Sequence, residues 1–136
     1  MRWLPRAILG LMGVINLVRG GIHVFAPDGG AHSIAGLDLG DDSATVLSLF
    51  ATLGLQQIVL GLFELYAVAR APRFVTLLLA LQTVSTAIVL VNLYAWRPLP
   101  VIVPGQPFNV ALFALQLVAL VIALTARRPA YSPPAA

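Results

Sequence analysis

The first apolar segment of the chain carries three side chains that can do chemistry: Asn16, Arg19 and His23. Steps of three and four residues place them on one side of a helix. A guanidinium binds anionic groups or stabilises a developing negative charge, and an imidazole exchanges protons near neutral pH. Two chemistries are therefore open here: anion binding at Arg19, and acid–base catalysis by His23 with Arg19 as its electrostatic partner.

Three further apolar segments also contain polar side chains. At a rise of 1.5 Å per residue, six residues from the four segments fall in one layer about 13–18 Å from one membrane edge. That layer contains Asn16, Arg19, Gln57, Gln82, Ser85 and Gln116. A second layer, about 24–28 Å from the same edge, contains His23, Asn92 and Asn109. The predicted ligand-binding residues are Asn16, Arg19, His23, Gln57, Gln82, Ser85, Asn92 and Gln116.

Glu64 falls outside both layers, about 7 Å from the same edge. At that depth a carboxylate can extend to the interface, or pair with Arg6 or Arg70. No residue predicted to be level with Arg19 carries a negative charge. The sequence therefore predicts that an anionic group from outside the chain lies beside Arg19, because a buried charge left uncompensated is costly.

The segment at 26–44 holds imidazole and carboxylate groups that could ligate a divalent metal. Their spacing matches no recognised metal motif, which favours a solvated acidic loop and predicts no metal site. The chain has no cysteine, and it lacks phosphate-loop, dinucleotide, zinc-protease and serine-hydrolase signatures. We therefore expect no cofactor and favour a non-enzymatic role. The imidazole and carboxylate groups of the 26–44 segment belong to Asp28, His32, Asp38, Asp41 and Asp42.

These side chains must be positioned by membrane helices. Of the 136 residues, 60% are hydrophobic and 10% are charged, whereas soluble domains are about 25% charged. That balance excludes soluble, disordered and nucleic-acid-binding proteins. Four segments have the roughly 20 apolar residues that a spanning helix needs. They predict an all-α fold, an antiparallel four-helix transmembrane bundle forming a single domain over 1–136, with spans at about 7–25, 45–69, 74–96 and 108–126.

Arginine placement predicts the orientation. Six of the eight basic residues lie at one end of the bundle, whereas Arg97 lies at the other end and Arg19 lies inside a span. Since basic residues in short loops stay cytoplasmic, both termini are expected in the cytoplasm, with an outer loop at 26–44 and a short cytoplasmic tail at 127–136. The first span is expected to be retained rather than cleaved, because Asn16 and Arg19 interrupt it. The six basic residues that lie together at one end of the bundle are Arg2, Arg6, Arg70, Arg73, Arg127 and Arg128.

Glycines and polar residues recur in the first two spans with the spacing of a helix–helix seam. Residues 13, 16, 20 and 23 step by 3, 4 and 3, and so do residues 54, 57, 61 and 64. Small residues at such positions allow close backbone approach, so Gly20 and Gly61 are predicted to lie between the two helices. Leu90 and Leu120 are predicted to face lipid.

Several stretches carry a family resemblance: RAILGLMGV, GGIHVFAPDG, IAGL and LFATLGLQQIVLGLFEL. With these features the chain resembles the DoxX-like and related small four-helix proteins of the bacterial inner membrane. The resemblance implies a multi-pass inner-membrane protein and covers nearly the whole chain. It implies no functional residue.

The favoured function is binding of a lipophilic or anionic molecule, or of a protein partner, through the polar residues between the helices. A lipophilic ligand, an anionic lipid, a second copy of the chain or another membrane protein are the expected partners within the bilayer, and nucleic acid is not. One alternative is an enzyme for a lipophilic substrate that uses His23 and Arg19. Another is an oligomeric transporter or channel, because four helices enclose too little volume for a pore.

Overall fold

A computed structural model describes residues 3–99 and 102–126, and within these residues the chain forms four α-helices and no strand. Short 3₁₀ turns cover Gly40–Asp42 and Pro72–Phe74, and a π-helical turn covers Asn92–Trp96. The predicted all-α fold is confirmed. The predicted tail at 127–136 and the residues Arg2, Arg127 and Arg128 lie outside the described residues. The helices are α1 (Leu4–Phe25), α2 (Ser43–Arg70), α3 (Val75–Val91) and α4 (Gly105–Thr125).

Prolines account for most of the helix boundaries. Pro5 lies in the first turn of α1, where its missing N–H removes no helical hydrogen bond. At the other end of α1, Ala26 has an extended backbone with φ −72° and ψ 139°, as favoured for the residue before Pro27. Pro72 begins the short turn between α2 and α3. Pro104 precedes α4, and the Gln106 side chain accepts a hydrogen bond from the Val103 N–H at 3.0 Å.

All four helices, taken with their adjoining turns, are long and apolar enough to cross a membrane. Their outer surfaces are apolar: Val18, Val59 and Leu81 are each more than half exposed. Buried amides and a buried carboxyl lie between the helices instead. This inverted distribution is the one expected of a multi-pass membrane protein, in which lipid covers the apolar surface.

Helix α1 is the centre of the bundle. It packs against α2, α3 and α4, whereas α2 packs mainly against α1. A cluster of apolar side chains fills the end where α1 begins and α4 ends, which we call the terminal end. The opposite end, which carries the segment between α1 and α2, is called the loop end. The cluster consists of Ile8, Leu9, Ala67, Val75, Leu78, Leu79, Ala119 and Ala123.

Glycines bring the backbones of α1 and α2 into contact. A Cβ built on Gly20 would lie 2.5 Å from the Gly54 carbonyl oxygen, and one built on Gly61 would lie 2.7 Å from the Gly13 carbonyl oxygen. These contacts confirm the predicted seam and show that α1 and α2 run antiparallel. The polar side chains on this seam therefore lie in a closely packed interface, where water has little room.

Candidate functional site

One stripe of α1 carries the polar contacts that join the helices. Met12, Asn16, Arg19 and His23 lie on it at intervals of four, three and four residues. Together they contact three elements: Met12 and Arg19 contact α4, Asn16 contacts α2, and His23 contacts the segment that follows α1. The candidate site is therefore organised by α1, and we call these four residues the α1 stripe.

Asn16 and Glu64 form the contact between α1 and α2. The Asn16 Nδ2 donates to Glu64 Oε2 at 2.8 Å, and Glu64 is 0% exposed. No N–H or O–H of the described residues reaches the other carboxyl oxygen, Oε1. Glu64 is thus a buried carboxyl, and the Asn16 amide supplies its only hydrogen bond within the described residues.

The expectation that Glu64 extends to the membrane–water interface, or pairs with Arg6 or Arg70, was therefore wrong. Side chains in a helix lean toward its N-terminus. Because α2 runs from the loop end to the terminal end, Glu64 leans into the bundle rather than toward the nearby edge. Asn16 leans the opposite way, and the two side chains close the depth difference of about 6 Å inferred from helical rise.

Arg19 and Asn109 form the contact between α1 and α4. The Arg19 Nη1 donates to Asn109 Oδ1 at 3.0 Å, and the Arg19 side chain is half-buried. The two residues were predicted to lie in different layers. The hydrogen bond shows that the long arginine side chain spans the difference in depth. Its guanidinium lies beside a residue four positions from the start of α4, about 6 Å along that helix.

No carboxylate of the described residues is used to neutralise Arg19. Glu64 bonds to Asn16, and the remaining acidic residues precede α2 at the loop end, where they are exposed or bonded within their own segment. Within 3–99 and 102–126, Asn109 is the single hydrogen-bond partner of the guanidinium, which has five N–H donors. The remaining acidic residues are Asp28, Asp38, Asp41 and Asp42.

Two glutamine side chains, one on α2 and one on α4, have a buried amide oxygen. Gln116 of α4 is 1% exposed, and its Nε2 donates to the Met12 Sδ at 3.1 Å. Its Oε1 accepts no hydrogen bond from the described residues, and neither does Oε1 of Gln57 on α2. Both glutamines therefore have a buried amide oxygen that no donor of the described residues satisfies.

Within the described residues, the predicted residues on and after α3 make no side-chain hydrogen bond with the α1 stripe. Ser85 is exposed, Gln82 is half-buried, and Asn92 is half-buried at the start of the π-helical turn. The hydrogen bonds of Arg19 and Asn16 go to α4 and α2 instead. Among the described residues, α3 therefore contributes no side-chain hydrogen bond to the layer that the sequence predicts.

His23 joins the loop end of α1 to the segment that follows it. Its Nδ1 lies 2.8 Å from the carbonyl oxygen of Gly29, so Nδ1 carries the hydrogen because a carbonyl only accepts. The ring packs edge-on against Phe50 of α2 at a centroid distance of 5.2 Å. His23 thereby fixes the chain where it leaves the membrane.

Asp28 organises the segment that follows α1, outside the membrane-spanning helices. Its carboxylate accepts hydrogen bonds from the backbone N–H groups of Ser33, Gly30 and His32 and from the Ser33 hydroxyl. Gly29 and Gly30 have φ of 56° and 81°, values that glycine adopts readily. The N–H groups of Ser33 and Gly30 lower the pKa of Asp28 from 3.8 to about 2. In the described part of the chain, no three His, Asp or Glu side chains are grouped to hold a metal ion.

Acid is expected to loosen this segment within a defined pH window. Because the pKa of Asp28 is lower in the folded protein, ionised Asp28 stabilises the segment fully above pH 3.8, and this contribution disappears as the pH falls to about 2. Hydrogen exchange should show the protection factors of Gly30 and Ser33 falling across that window. In Asp28→Asn the fall should be absent. Equal pH dependence in both proteins would contradict the role of Asp28.

The hydrogen-bond partners of Arg19 and Asn16 were both missing from the predicted ligand-binding set. Asn109 is seven residues before Gln116, and that spacing places both on one face of α4. Glu64 is the last of the four seam positions in the second span, and it corresponds to His23 in the first span. In both cases the signal was present in the spacing.

Comparisons with protein-family models, with curated proteins and with solved structures gave no match for this chain.

Proposed function

We propose that this protein binds the anionic head group of an amphiphile at Arg19, and that the head group enters from the side of the membrane where the loop end of the bundle lies. The head group is a phosphate or a carboxylate, and its acyl chains lie against the apolar outer surface. The observation that carries the proposal is the half-buried guanidinium beside Asn109, with every acidic residue of the described chain placed elsewhere. A planar guanidinium matches both oxyanions through paired N–H groups.

The depth of the guanidinium supports this ligand. It lies about 6 Å along α4 from the start of that helix, close to where lipid head groups meet the hydrocarbon. Asn109 accepts one hydrogen bond and so orients the charge without neutralising it. An anion that supplies the missing negative charge gains charge-assisted hydrogen bonds, which are roughly twice as strong as neutral ones.

Removing the Arg19 charge is expected to weaken binding of an anionic amphiphile by at least about tenfold, because a hydrogen bond to a charged group contributes about 1.5–3 kcal/mol and each 1.4 kcal/mol is a factor of ten in affinity. The probes are phosphatidylglycerol and oleate, with phosphatidylcholine as the reference, added to delipidated protein and counted by native mass spectrometry. Arg19→Gln keeps hydrogen-bonding capacity and removes the charge. Preference for phosphatidylglycerol identifies a phosphate ligand, and preference for oleate identifies a carboxylate.

Arg97→Gln is the matched control. Arg97 is exposed after the π-helical turn, at the same end of the bundle, and its substitution removes the same charge. It should leave binding close to that of the unmodified protein. If both substitutions weaken binding equally, the attraction is a general surface charge, and if neither does, Arg19 binds no anion.

We further propose that the protein lies in a bacterial inner membrane with both termini in the cytoplasm. The resemblance to DoxX-like proteins and the exposed arginines at the terminal end, Arg6, Arg70 and Arg73, support this orientation. Phosphatase fusions at Gly36 should be active in the periplasm, and fusions after Ala126 should be inactive. Activity at both positions, or after Ala126 alone, would refute the orientation.

A further inference from the structure

The chain contains one glutamate, and it is buried in the α1–α2 interface. Its carboxyl is 0% exposed, Oε2 accepts from the neutral amide of Asn16, and Oε1 accepts from no group of the described residues. The glycine contacts on the same two helices keep the backbones too close for the carboxyl to be hydrated freely. This carboxyl is therefore cut off from water on the seam.

Within residues 3–99 and 102–126, no charged group is placed to compensate a carboxylate at this position. On α1, Arg19 bonds to Asn109 and His23 bonds to Gly29 near the loop end, while Arg6 is exposed. Arg70 is exposed at the end of α2, six residues beyond Glu64, and Arg73 is exposed in the turn that follows, with its guanidinium over the Phe74 ring. The segments that form α3 and α4 contain no charged residue. An ionised carboxylate without a counter-charge is strongly disfavoured in such surroundings.

The balance of donors and acceptors points in the same direction. Three buried oxygens accept no hydrogen bond from the described residues: Oε1 of Gln57, of Glu64 and of Gln116. Adding a proton to Oε1 of Glu64 turns one orphaned acceptor into a donor. Oε2 remains free to accept from Asn16, so the observed 2.8 Å contact is kept.

We infer that Glu64 is a proton-binding site within the membrane, held between α1 and α2 and oriented by Asn16. In the closed interface the carboxyl is the neutral acid, with its O–H on Oε1. Loss of the proton leaves a carboxylate and releases H⁺ to water, and this requires α1 and α2 to part or water to enter. The packing of α1 against α2 is thus coupled to one proton. The site is independent of anion binding at Arg19.

The single glutamate makes a direct measurement practical. Cell-free synthesis with glutamate labelled with ¹³C at Cδ gives one carboxyl signal, and the full-length protein is measured in nanodiscs by NMR over a pH series. We expect the chemical shift of a neutral carboxylic acid at neutral pH. Arg19→Gln should leave this signal unchanged. A carboxylate shift at neutral pH, or titration like that of an exposed carboxyl, would overturn the inference.

The double variant Glu64→Gln, Asp41→Glu supplies the matched reference, because it moves the only glutamate to an exposed loop position. Its labelled signal should be that of a carboxylate at neutral pH. Glu64→Gln alone replaces a neutral acid with a neutral amide of the same shape, so the thermal stability should change little. A large change in stability at neutral pH would indicate that Glu64 is charged in the native protein and would count against the proton site.

Discussion

Gly20→Ala is expected to destabilise the bundle by about 1–3 kcal/mol, the usual penalty of overpacking. The added methyl would lie 2.5 Å from the Gly54 carbonyl oxygen and 3.0 Å from the Ile58 backbone nitrogen. Both atoms belong to the backbone of α2, so no side-chain rotation relieves the contact and the helices must move apart. Close packing is a main source of helix association in lipid, so the separation weakens the whole interface.

Gly21→Ala is the matched control for this prediction. It is the next residue of α1, and a Cβ there meets nothing within 4 Å. Since alanine is the better helix former by about 1 kcal/mol, this variant should be neutral or more stable. The free energy of unfolding in mixed micelles, measured by circular dichroism against increasing dodecyl sulfate, separates the two variants. Equal stability of both would show that α1 and α2 do not approach as described.

Asn16→Leu is expected to lower the free energy of unfolding by about 1–3 kcal/mol, the penalty of leaving a buried polar group unpaired. A hydrogen bond between membrane helices contributes only about 0.6 kcal/mol on average. The larger value applies here because Glu64 is fully buried and receives no other hydrogen bond from the described residues. Its carboxyl would remain in an apolar interface without a donor.

The double variant Asn16→Leu, Glu64→Leu tests whether the penalty arises from the orphaned carboxyl. Replacing both partners by apolar groups of similar size is close to neutral, so much of the lost stability should return. The same dodecyl sulfate titration on the two single variants and the double variant gives the coupling energy of the pair. Additive losses would mean that Asn16 and Glu64 act separately and that their 2.8 Å contact stabilises nothing.

The helices and their bounds were largely predictable, because hydrophobic length is set by bilayer thickness and helix ends are set by proline and polar residues. Three of the four, α1, α2 and α4, begin two or three residues before their predicted spans. The third span ends differently, since regular α-helix stops at Val91 and a π-helical turn continues from Asn92. A local change of hydrogen-bond register leaves no trace in hydropathy.

The glycine seam was predictable for a related reason. Glycines seven residues apart lie on one face of each helix, and both helices carry such a pair, so their contact followed from spacing alone. The lipid-facing positions were harder to predict. Leu120 was predicted to face lipid but packs against the apolar cluster at the terminal end. In a helix that is apolar on all sides, composition does not distinguish the buried face.

The amino-acid sequence by itself determined that this is an all-α protein with four helices able to span a membrane, and which polar residues share a face of each helix. The tertiary structure alone decided which of them meet: Asn16 with Glu64, and Arg19 with Asn109. Helical periodicity defines a direction around one axis, but contacts between helices depend on their relative rotation and on how far each side chain leans along its axis. Because its side chain leans a few ångströms along the helix axis, Glu64 lies in the protein interior and not at the membrane–water interface where it was expected.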